Sequence, residues 1–422
     1  MRTLESQRVA SAIAIVLVGA LACSERWLSA HRSLWRDSAA GSRILVTTGD
    51  NDGPGSLREA IFAAGAADGR ATIVMRTRLI RVETELPPLV NAHGITVDAT
   101  ASGTEIDAHD LAGAAVLKIL SPDGLVEGLR ISGTTGAGVL VNAPRVHVRA
   151  VEIAGCAEGI TLGERAADVV IEESRFQANG AGIALDHAAP GVIVRHNRFE
   201  RHDQAAIRAV SPERRPTAFA NGLIVRANQF EDDRVALMLG DIDARVEHNI
   251  VRRAREAAMV LKGGGASVRA NRMGEGAGLG VLADESDAAL LEANEIDHNA
   301  TGGILIRAGG GTIARANRLY ENGYGIAVVF GDRARPHVVR DNLLLDHAQD
   351  AIVIVGASPV IWENRALRSR RAALRILDFS PLQGSRIVAE PQLANNSFRE
   401  NQLDEPARGL YRARGAAWEG EP

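Results

Sequence analysis

The chain has 422 residues, of which 46% are apolar, and its formal charge is -4. The apolar content is enough for a large core, but only 4% of residues are aromatic, so the core must consist mainly of Ile, Val, Leu and Ala. No strongly basic region is present, which argues against a nucleic-acid protein held by phosphate contacts.

Residues 1–22 are predicted to form a signal peptide. A basic start precedes the apolar run Val9–Ala22, which is too short for a membrane span and has the length of a signal h-region. The run ends in Ala-Leu-Ala, a sequence that fits a cleavage site, and Cys23 stands where a lipoprotein carries its lipid. We therefore expect an extracytoplasmic protein (secreted, periplasmic or lipid-anchored) with no membrane contact beyond a lipid on Cys23.

A linker is expected over residues 23–42, followed by one elongated domain over residues 43–403 and an irregular tail over residues 404–422. The motif GPGSLREAIFAA near the start of the domain predicts a short amphipathic helix, in which Ser56 and Glu59 form a capping box. A helix laid over the first repeat would protect an open sheet edge from aggregation.

An asparagine returns at intervals of about 23 residues through the domain. A short apolar strand precedes it, and a second phrase of a small residue plus alternating apolar residues follows, as in GILI from Gly303. The repeated residues are Asn197, Asn228, Asn249, Asn271, Asn294, Asn317, Asn342 and Asn364. Units this short cannot bury an apolar face alone and must stack on their neighbours. The pattern predicts an all-β fold, a parallel β-helix of about a dozen coils of ~23 residues.

The asparagine column is interpreted as structural. Asn tolerates the left-handed backbone of a sharp corner, and stacked amides can hydrogen-bond from coil to coil. An outward column two positions earlier alternates in sign, as expected of a solvated ladder of weak ion pairs. Its members are Glu247, Arg269, Glu292 and Arg315.

The segment Ile44–Met75, ILVTTGDNDGPGSLREAIFAAGAADGRATIVM, is similar to the opening segment of secreted bacterial right-handed parallel β-helix repeat proteins. The coils after it resemble the pectate-lyase-like superfamily, and the resemblance covers about Ile44–Phe379. It implies a right-handed β-helix. It does not decide function, because that superfamily includes lyases, hydrolases, epimerases, adhesins and periplasmic proteins. The catalytic motifs of polygalacturonases, alginate epimerases and pectate lyases are not found in this sequence.

Charged residues occur at one outward-facing position of the strand formed by the second phrase, and this position forms a line from coil to coil. Lys262, Asp284 and Arg307 should be neighbours on consecutive coils, with Asp186 three coils before Lys262 on the same line. Removal of an α-proton from a uronate needs a cation at the carboxylate and a base at the proton. Lys262 or Arg307 could supply the cation. Asp284 between two cations would stay ionised, a poor base but a reasonable Ca²⁺ ligand or orienting group.

Further candidates surround this line. His187 directly follows Asp186, and Arg208 projects from the next coil. A long repeat inserts Ser211–Ala220, whose Arg214 and Arg215 could form a basic wall beside an acidic polysaccharide. The same charged residues could instead form a surface ion-pair ladder.

The middle outward position of this strand is mostly apolar, and a row this long should be covered by the C-terminal segment or by a partner. Its residues are Met238, Val260, Leu282, Leu305, Ala327 and Val353.

Two functions remain open from the sequence. One is an exported protein that binds or processes polysaccharide, for example a lyase or epimerase acting on a uronic-acid polymer. The other is a non-catalytic surface or periplasmic β-helix, acting as an adhesin, scaffold or envelope component.

Overall fold

The computed structural model describes residues 41–187, 190–210, 222–380 and 386–412 as one parallel β-solenoid of about 13 turns. The predicted all-β fold with ~23-residue coils is therefore confirmed. The signal peptide, Cys23, most of the linker and the loop carrying Arg214 and Arg215 lie outside the described residues. No helix within the described ranges is long and apolar enough to cross a membrane.

From Ile95 onward, each coil contributes one strand to each of three parallel sheets, which we name A, B and C; the earlier part of the chain adds two strands to sheet A and one to sheet B. Sheet A contains Ser42–Val46, Ala71–Met75, Ile95–Asp98, Leu125–Glu127, His147–Arg149, Val170–Glu172, Ile193–Arg195, Leu223–Arg226, Ala244–Glu247, Ser267–Arg269, Leu290–Glu292, Ile313–Arg315, Val338–Arg340, Val360–Trp362 and Gln392–Ala394. Sheet B contains Leu79–Arg81, Glu105–Asp107, Arg130–Ser132, Glu152–Ala154, Arg175–Gln177, Arg198–Glu200, Gln229–Glu231, Ile250–Arg252, Arg272–Gly274, Glu295–Asp297, Arg318–Tyr320, Leu343–Leu345, Arg365–Leu367 and Ser397–Arg399. Sheet C contains Leu117–Ile119, Ala137–Val141, Glu158–Leu162, Ala181–Leu185, Ala205–Val210, Val235–Gly240, Ala257–Lys262, Leu279–Asp284, Gly302–Arg307, Tyr324–Val329, Ile352–Val355, Leu374–Ser380 and Ala407–Arg412.

The core runs along the axis as columns of like residues, because register aligns each inward side chain with its counterpart one coil away. On sheet B, Phe176, Phe199 and Phe230 stack with ring centroids 4.9 Å apart, and all three are at most 1% exposed. On sheet C, Ile304 and Ile306 point inward and are fully buried. The aliphatic core expected from the low aromatic content is thus interrupted by one short aromatic stack.

The asparagines form a buried column at the corner between sheets A and B. All eight are at most 2% exposed. In a representative step, the backbone N–H and the Nδ2 of Asn228 donate to Asn249 Oδ1 at 2.9 and 3.1 Å, and Nδ2 also donates to Val194 O at 2.9 Å. The column begins at Ser174, whose N–H donates to Asn197 Oδ1, and extends to Asn396.

The prediction that these asparagines themselves adopt the left-handed backbone is wrong. The residue before each asparagine does so, for example Ala227 at φ 53° and Ala270 at φ 50°. The residue with positive φ changes the chain direction at the corner, and the asparagine that follows it can then direct its side-chain amide inward.

A second buried column lines the corner between sheets B and C, and its residue types are mixed. The backbone N–H of Asn299 donates to Asn322 Oδ1 at 2.9 Å, and that of Asn322 donates to His347 Nδ1 at 3.3 Å. Nearer the N-terminus, His202 Nδ1 lies 2.7 Å from Asp233 Oδ1, and both side chains are at most 1% exposed. Each corner therefore satisfies its backbone donors with stacked side chains.

Steric contacts explain why a small residue stands near the start of each sheet C strand. A Cβ added to Gly303 would lie 2.5 Å from Leu319 Cδ2 and 2.6 Å from Gly325 O. Gly325 leaves space in the same way for the ring of His347, whose Nε2 lies 2.9 Å from the position of a Cβ there. Glycine at these positions lets the second column pack against the strand.

Length variation is concentrated in the turn between sheets C and A. The corner between sheets A and B has two residues in most coils, from Gly128 onward. In contrast, residues 211–222 separate the sheet C strand from the next sheet A strand at one place and residues 381–391 do so at another. These long intervals account for the steps of 31 and 32 residues in the asparagine column.

The helix Leu57–Gly65 covers the first coil. Ser56 is its N-cap and accepts a hydrogen bond from the Glu59 N–H at 3.2 Å, while Glu59 itself accepts from the Gly55 N–H. Leu57 and Ile61 are at most 2% exposed, so one face of the helix closes the core.

The C-terminal end differs from the sequence expectation. An irregular tail was predicted from Asp404, but Ala407–Arg412 is a strand paired with Leu374–Ser380. Together with Gln392–Ala394 and Ser397–Arg399 it completes one more coil.

Candidate functional site

Lys262, Asp284 and Arg307 occupy one column on sheet C. Lys262 pairs in register with Asp284, and Asp284 pairs with Arg307. The Arg307 Nε and Nη2 donate to the two oxygens of Asp284 at 2.8 and 2.9 Å. These bonds, with a smaller contribution from Lys262, hold the pKa of the Asp284 carboxyl below its ordinary value. Lys262 is exposed and forms no ion pair with another described residue.

The second candidate cluster lies toward the N-terminus of the same face. The Arg208 guanidinium bridges Asp186 Oδ1 at 2.7 Å and Glu158 Oε1 at 2.6 Å. His187 is partly exposed and lies 3.9 Å from Glu164 Oε1, too far for a hydrogen bond. Arg208 occupies the middle outward position and not the charged line, since it pairs in register with Ala184 and Met238.

The two clusters are not brought together. Val210 and Gly240 stand between Asp186 and Lys262 on the line, so the acidic residue and the lysine are three coils apart, about 14 Å at ordinary strand spacing. Within the described residues, no group of three His, Cys, Asp or Glu side chains is arranged to hold a metal ion.

The apolar outward row divides into two parts. Leu305, Ala327 and Val353 are at most 4% exposed and form a cluster with Tyr324, Val329 and Val355, against which the rings of Phe330, Phe379 and Tyr411 pack. The three members of the row nearer the N-terminus are half-buried. Those three are Met238, Val260 and Leu282. The charged line therefore runs beside an apolar strip that is still partly accessible.

A concave surface that the sequence did not reveal lies at the corner between sheets A and B. This corner groove has a volume of about 650 Å³ and crosses six coils. Its lining follows the corner residues and the first residue of each sheet B strand: Gly103, Gly128, Leu129, Arg130, Ala150, Val151, Glu152, Glu173, Ser174, Arg175, His196, Asn197, Arg198, Ala227 and Gln229. The repeat shows that these positions line up, but it gives no sign that the surface there is concave.

The sequence matches the family model described as the right-handed β-helix region over residues 90–218 and 216–367. Comparison with curated protein sequences gave no match.

Solved structures with the same architecture are distant in sequence. The A-module of the Azotobacter vinelandii mannuronan C-5 epimerase AlgE6 is 12% identical, with a TM-score of 0.52 over 89% of this chain and 100% of that one. The Pseudopedobacter saltans PL6 family polysaccharide lyase Pedsa3628 is 12% identical, with a TM-score of 0.49 over 84% and 92%. The Streptococcus pneumoniae surface protein and adhesin PfbA is 12% identical, with a TM-score of 0.41 over 87% and 100%. At these identities the similarity shows the fold alone.

Proposed function

The chain belongs to the right-handed β-helix family, and we propose that it is an exported protein that binds an acidic polysaccharide along the outer face of sheet C. The observation that carries the proposal is the column of Lys262, Asp284 and Arg307 on three consecutive coils. Lys262 offers an exposed ammonium, and Asp284 holds the Arg307 guanidinium at a fixed position. A carboxylate-bearing chain lying along the axis would meet a cation at both ends of this column.

Binding fits the geometry better than cleavage or epimerisation does. Either reaction needs a base positioned at the reacting carbon. Asp284 accepts two hydrogen bonds from Arg307, which lower its pKa and make it a weak proton acceptor. Asp186 is likewise bound to Arg208. To act as the base, either carboxylate would have to be released from its arginine. The remaining candidate base, His187, is next to Asp186 and therefore about three coils from Lys262.

Calcium is not part of the proposal. Ca²⁺ is bound by six to eight oxygen ligands, and Asp284 already directs both oxygens to Arg307. Its pairing partners on the neighbouring coils are cationic, Lys262 on one side and Arg307 on the other. The column is better suited to a carboxylate of the ligand than to a metal ion.

Export is part of the proposal and rests on the N-terminal sequence. Expression of the full chain with its first 22 residues should yield a processed protein outside the cytoplasm. Mass spectrometry of the mature N-terminus would show whether Cys23 carries a lipid. Full-length, unprocessed protein in the cytoplasm would contradict this part.

The binding proposal is tested by affinity measurements on alginate, pectate and chondroitin. Lys262→Ala and Arg307→Ala should each weaken binding roughly tenfold, the equivalent of about 1.4 kcal/mol for one lost charge-assisted contact. Arg318→Ala is the control, because Arg318 is an exposed arginine that lies on sheet B, away from the sheet C column. Binding that survives the two sheet C substitutions, or is lost equally in the control, would contradict the proposed site.

Ultraviolet absorbance during the same incubations separates binding from catalysis. A lyase leaves an unsaturated product that absorbs, whereas a binding protein leaves the polymer intact. If absorbance rises with the parent protein and not with Lys262→Ala, the protein is a lyase that acts at these residues, and the binding proposal is replaced.

A scaffold or adhesin role is the second candidate. It is favoured by the half-buried apolar residues Met238, Val260 and Leu282 beside the charged line, which offer contact area to a protein. Failure of all three polysaccharides to bind would favour this candidate.

A further inference from the structure

The corner groove lies on a different face of the solenoid from the charged line of sheet C. Its floor is formed by the corner residues that adopt positive φ, including Gly128 and Ala150. One side is formed by the outward column that opens each sheet B strand, from Arg130 to Gln229. The five coils of the floor, from Gly128 to Ala227, span about 19 Å at ordinary strand spacing. A site of this shape suits an elongated ligand lying along the axis.

The groove is bounded at its N-terminal end by one unusually long corner. Residues 99–104 connect Ile95–Asp98 of sheet A to Glu105–Asp107 of sheet B, where later coils use two residues. Gly103 in this turn lines the groove, and a Cβ on Gly128 would lie 2.7 Å from Thr100 Cα. The turn therefore packs directly on the floor and gives the groove one closed end.

The groove carries three arginines that can bind carboxylates, and the acidic side chains of Glu152 and Glu173 line it beside them. Arg130, Arg175 and Arg198 are in the lining, with side chains 59%, 46% and 48% exposed. Guanidinium groups bind carboxylates in a planar, two-bond geometry. Arg175 and Arg198 already donate to Glu200 at 2.8 and 2.7 Å. Arg130, nearest the closed end, has only a 3.3 Å contact with Glu152 and is the most accessible of the three.

The backbone of the groove excludes recognition by strand addition. The Ala150 N–H donates to Glu172 O and the Gln229 N–H to Asn197 O, so the corner amides are used between coils. An extended peptide would therefore gain no main-chain ladder here. An acidic sugar, in contrast, can hydrogen-bond through its hydroxyls to the side chains of Glu152 and Gln229, while its carboxylate contacts an arginine.

We propose that the corner groove binds the end of an acidic oligosaccharide, with Arg130 contacting the carboxylate of its terminal sugar. This site is separate from the sheet C face and does not depend on that proposal. The terminal sugar of the oligosaccharide lies against the closed end, and the remaining sugars lie along the groove toward Gln229.

The test fills the groove with a bulky side chain. Ala150→Trp places an indole on the floor, and Ala316→Trp is the matched control, because Ala316 is also an exposed corner residue, with φ 54° against 50°, and lies outside the groove. Both are made in full-length protein carrying Lys262→Ala and Arg307→Ala, so that binding at sheet C does not contribute. Calorimetry with mannuronate, galacturonate and neutral cellohexaose hexasaccharides reports affinity.

At least one uronate hexasaccharide should bind, with affinity at least tenfold lower in Ala150→Trp and unchanged in Ala316→Trp. Arg130→Ala should weaken binding roughly tenfold. A bulky label on one end of the hexasaccharide should abolish binding while a label on the other end is accepted. The proposal is overturned if neither uronate binds, if cellohexaose binds equally well, if Ala150→Trp has no effect, or if both labelled ends are accepted.

Discussion

The inner corner column and the outer ion ladder of sheet A are built by the same register and differ in their contact with water. Asn294 of the inner column and Glu292 of the outer ladder are two residues apart, and each meets its counterpart on the neighbouring coils. Asn294 is 1% exposed and has no water to replace a lost partner, whereas Glu292 lies on the outer face. Repetition along a sequence therefore shows which residues stack, and burial decides how much each stack stabilises the fold.

Removal of one inner amide should have the largest effect. In Asn294→Ala, the Asn271 N–H and the Val268 carbonyl lose buried partners, and each unsatisfied group costs about 1–3 kcal/mol. We expect the variant to lose about 3–5 kcal/mol of unfolding free energy in denaturant titration. Glu292→Ala is the control from the same segment. Equal losses in the two variants would remove the distinction between inner and outer columns.

The histidine in the second inner column should make stability depend on pH. Burial lowers the pKa of His347 to about 4 from an ordinary 6.5. The unfolded chain therefore binds a proton below pH 6.5 that the folded chain refuses until about pH 4. The resulting stability is complete above pH 6.5 and is lost as pH falls toward 4, by about 3 kcal/mol.

His347→Asn tests this directly, because Asn299 and Asn322 occupy the same position in neighbouring coils. Stability measured from pH 7 to pH 4 should fall less in the variant than in the parent protein. Parallel curves for the two proteins would assign the acid sensitivity to other groups.

A methyl group beside the second inner column should have an intermediate effect. Gly303→Ala places a Cβ within 2.6 Å of Leu319 and Gly325, and we expect a loss of roughly 1–3 kcal/mol from overpacking. Gly69→Ala is the control, because nothing lies within 4 Å of the added atom. A neutral Gly303→Ala would show that the corner can expand.

The smallest effect is expected on the outer ladder. Arg269 and Arg315 both contact Glu292, but all three side chains are partly solvated. Glu292→Ala should cost no more than about 1 kcal/mol, and the difference should shrink as salt is raised to 1 M. A larger, salt-independent loss would place this ladder with the buried columns.

The sequence predicted the features that repeat with one residue type and missed those that do not. The asparagine column could be located because the same letter recurs every coil. The second column uses Asn299, His347 and Asp233 in the same role, so no single letter marks it. The left-handed position was assigned one residue late, because Ala and Glu occupy it in most coils and neither is a typical signal for positive φ.

The candidate sites were predicted unevenly for a related reason. The neighbours Lys262, Asp284 and Arg307 follow from strand register, which a constant period determines. The bridge that Arg208 forms between Asp186 and Glu158, and the guanidinium fork that Arg307 directs to Asp284, depend on side-chain geometry that a period does not carry. The corner groove depends on a six-residue turn in a single coil, which is an exception to the repeat.

The uneven turn lengths indicate where this scaffold would accept foreign sequence. Natural expansions after Val210 and Ser380 leave the asparagine column unbroken, since Asn197 still bonds to Asn228 and Asn364 to Asn396 across them. A peptide grafted into the C-to-A turn at Gly263–Ala266 should therefore be displayed without unzipping the coils on either side. The same graft in a two-residue A-to-B corner would separate neighbouring amides and split the solenoid into two shorter rods.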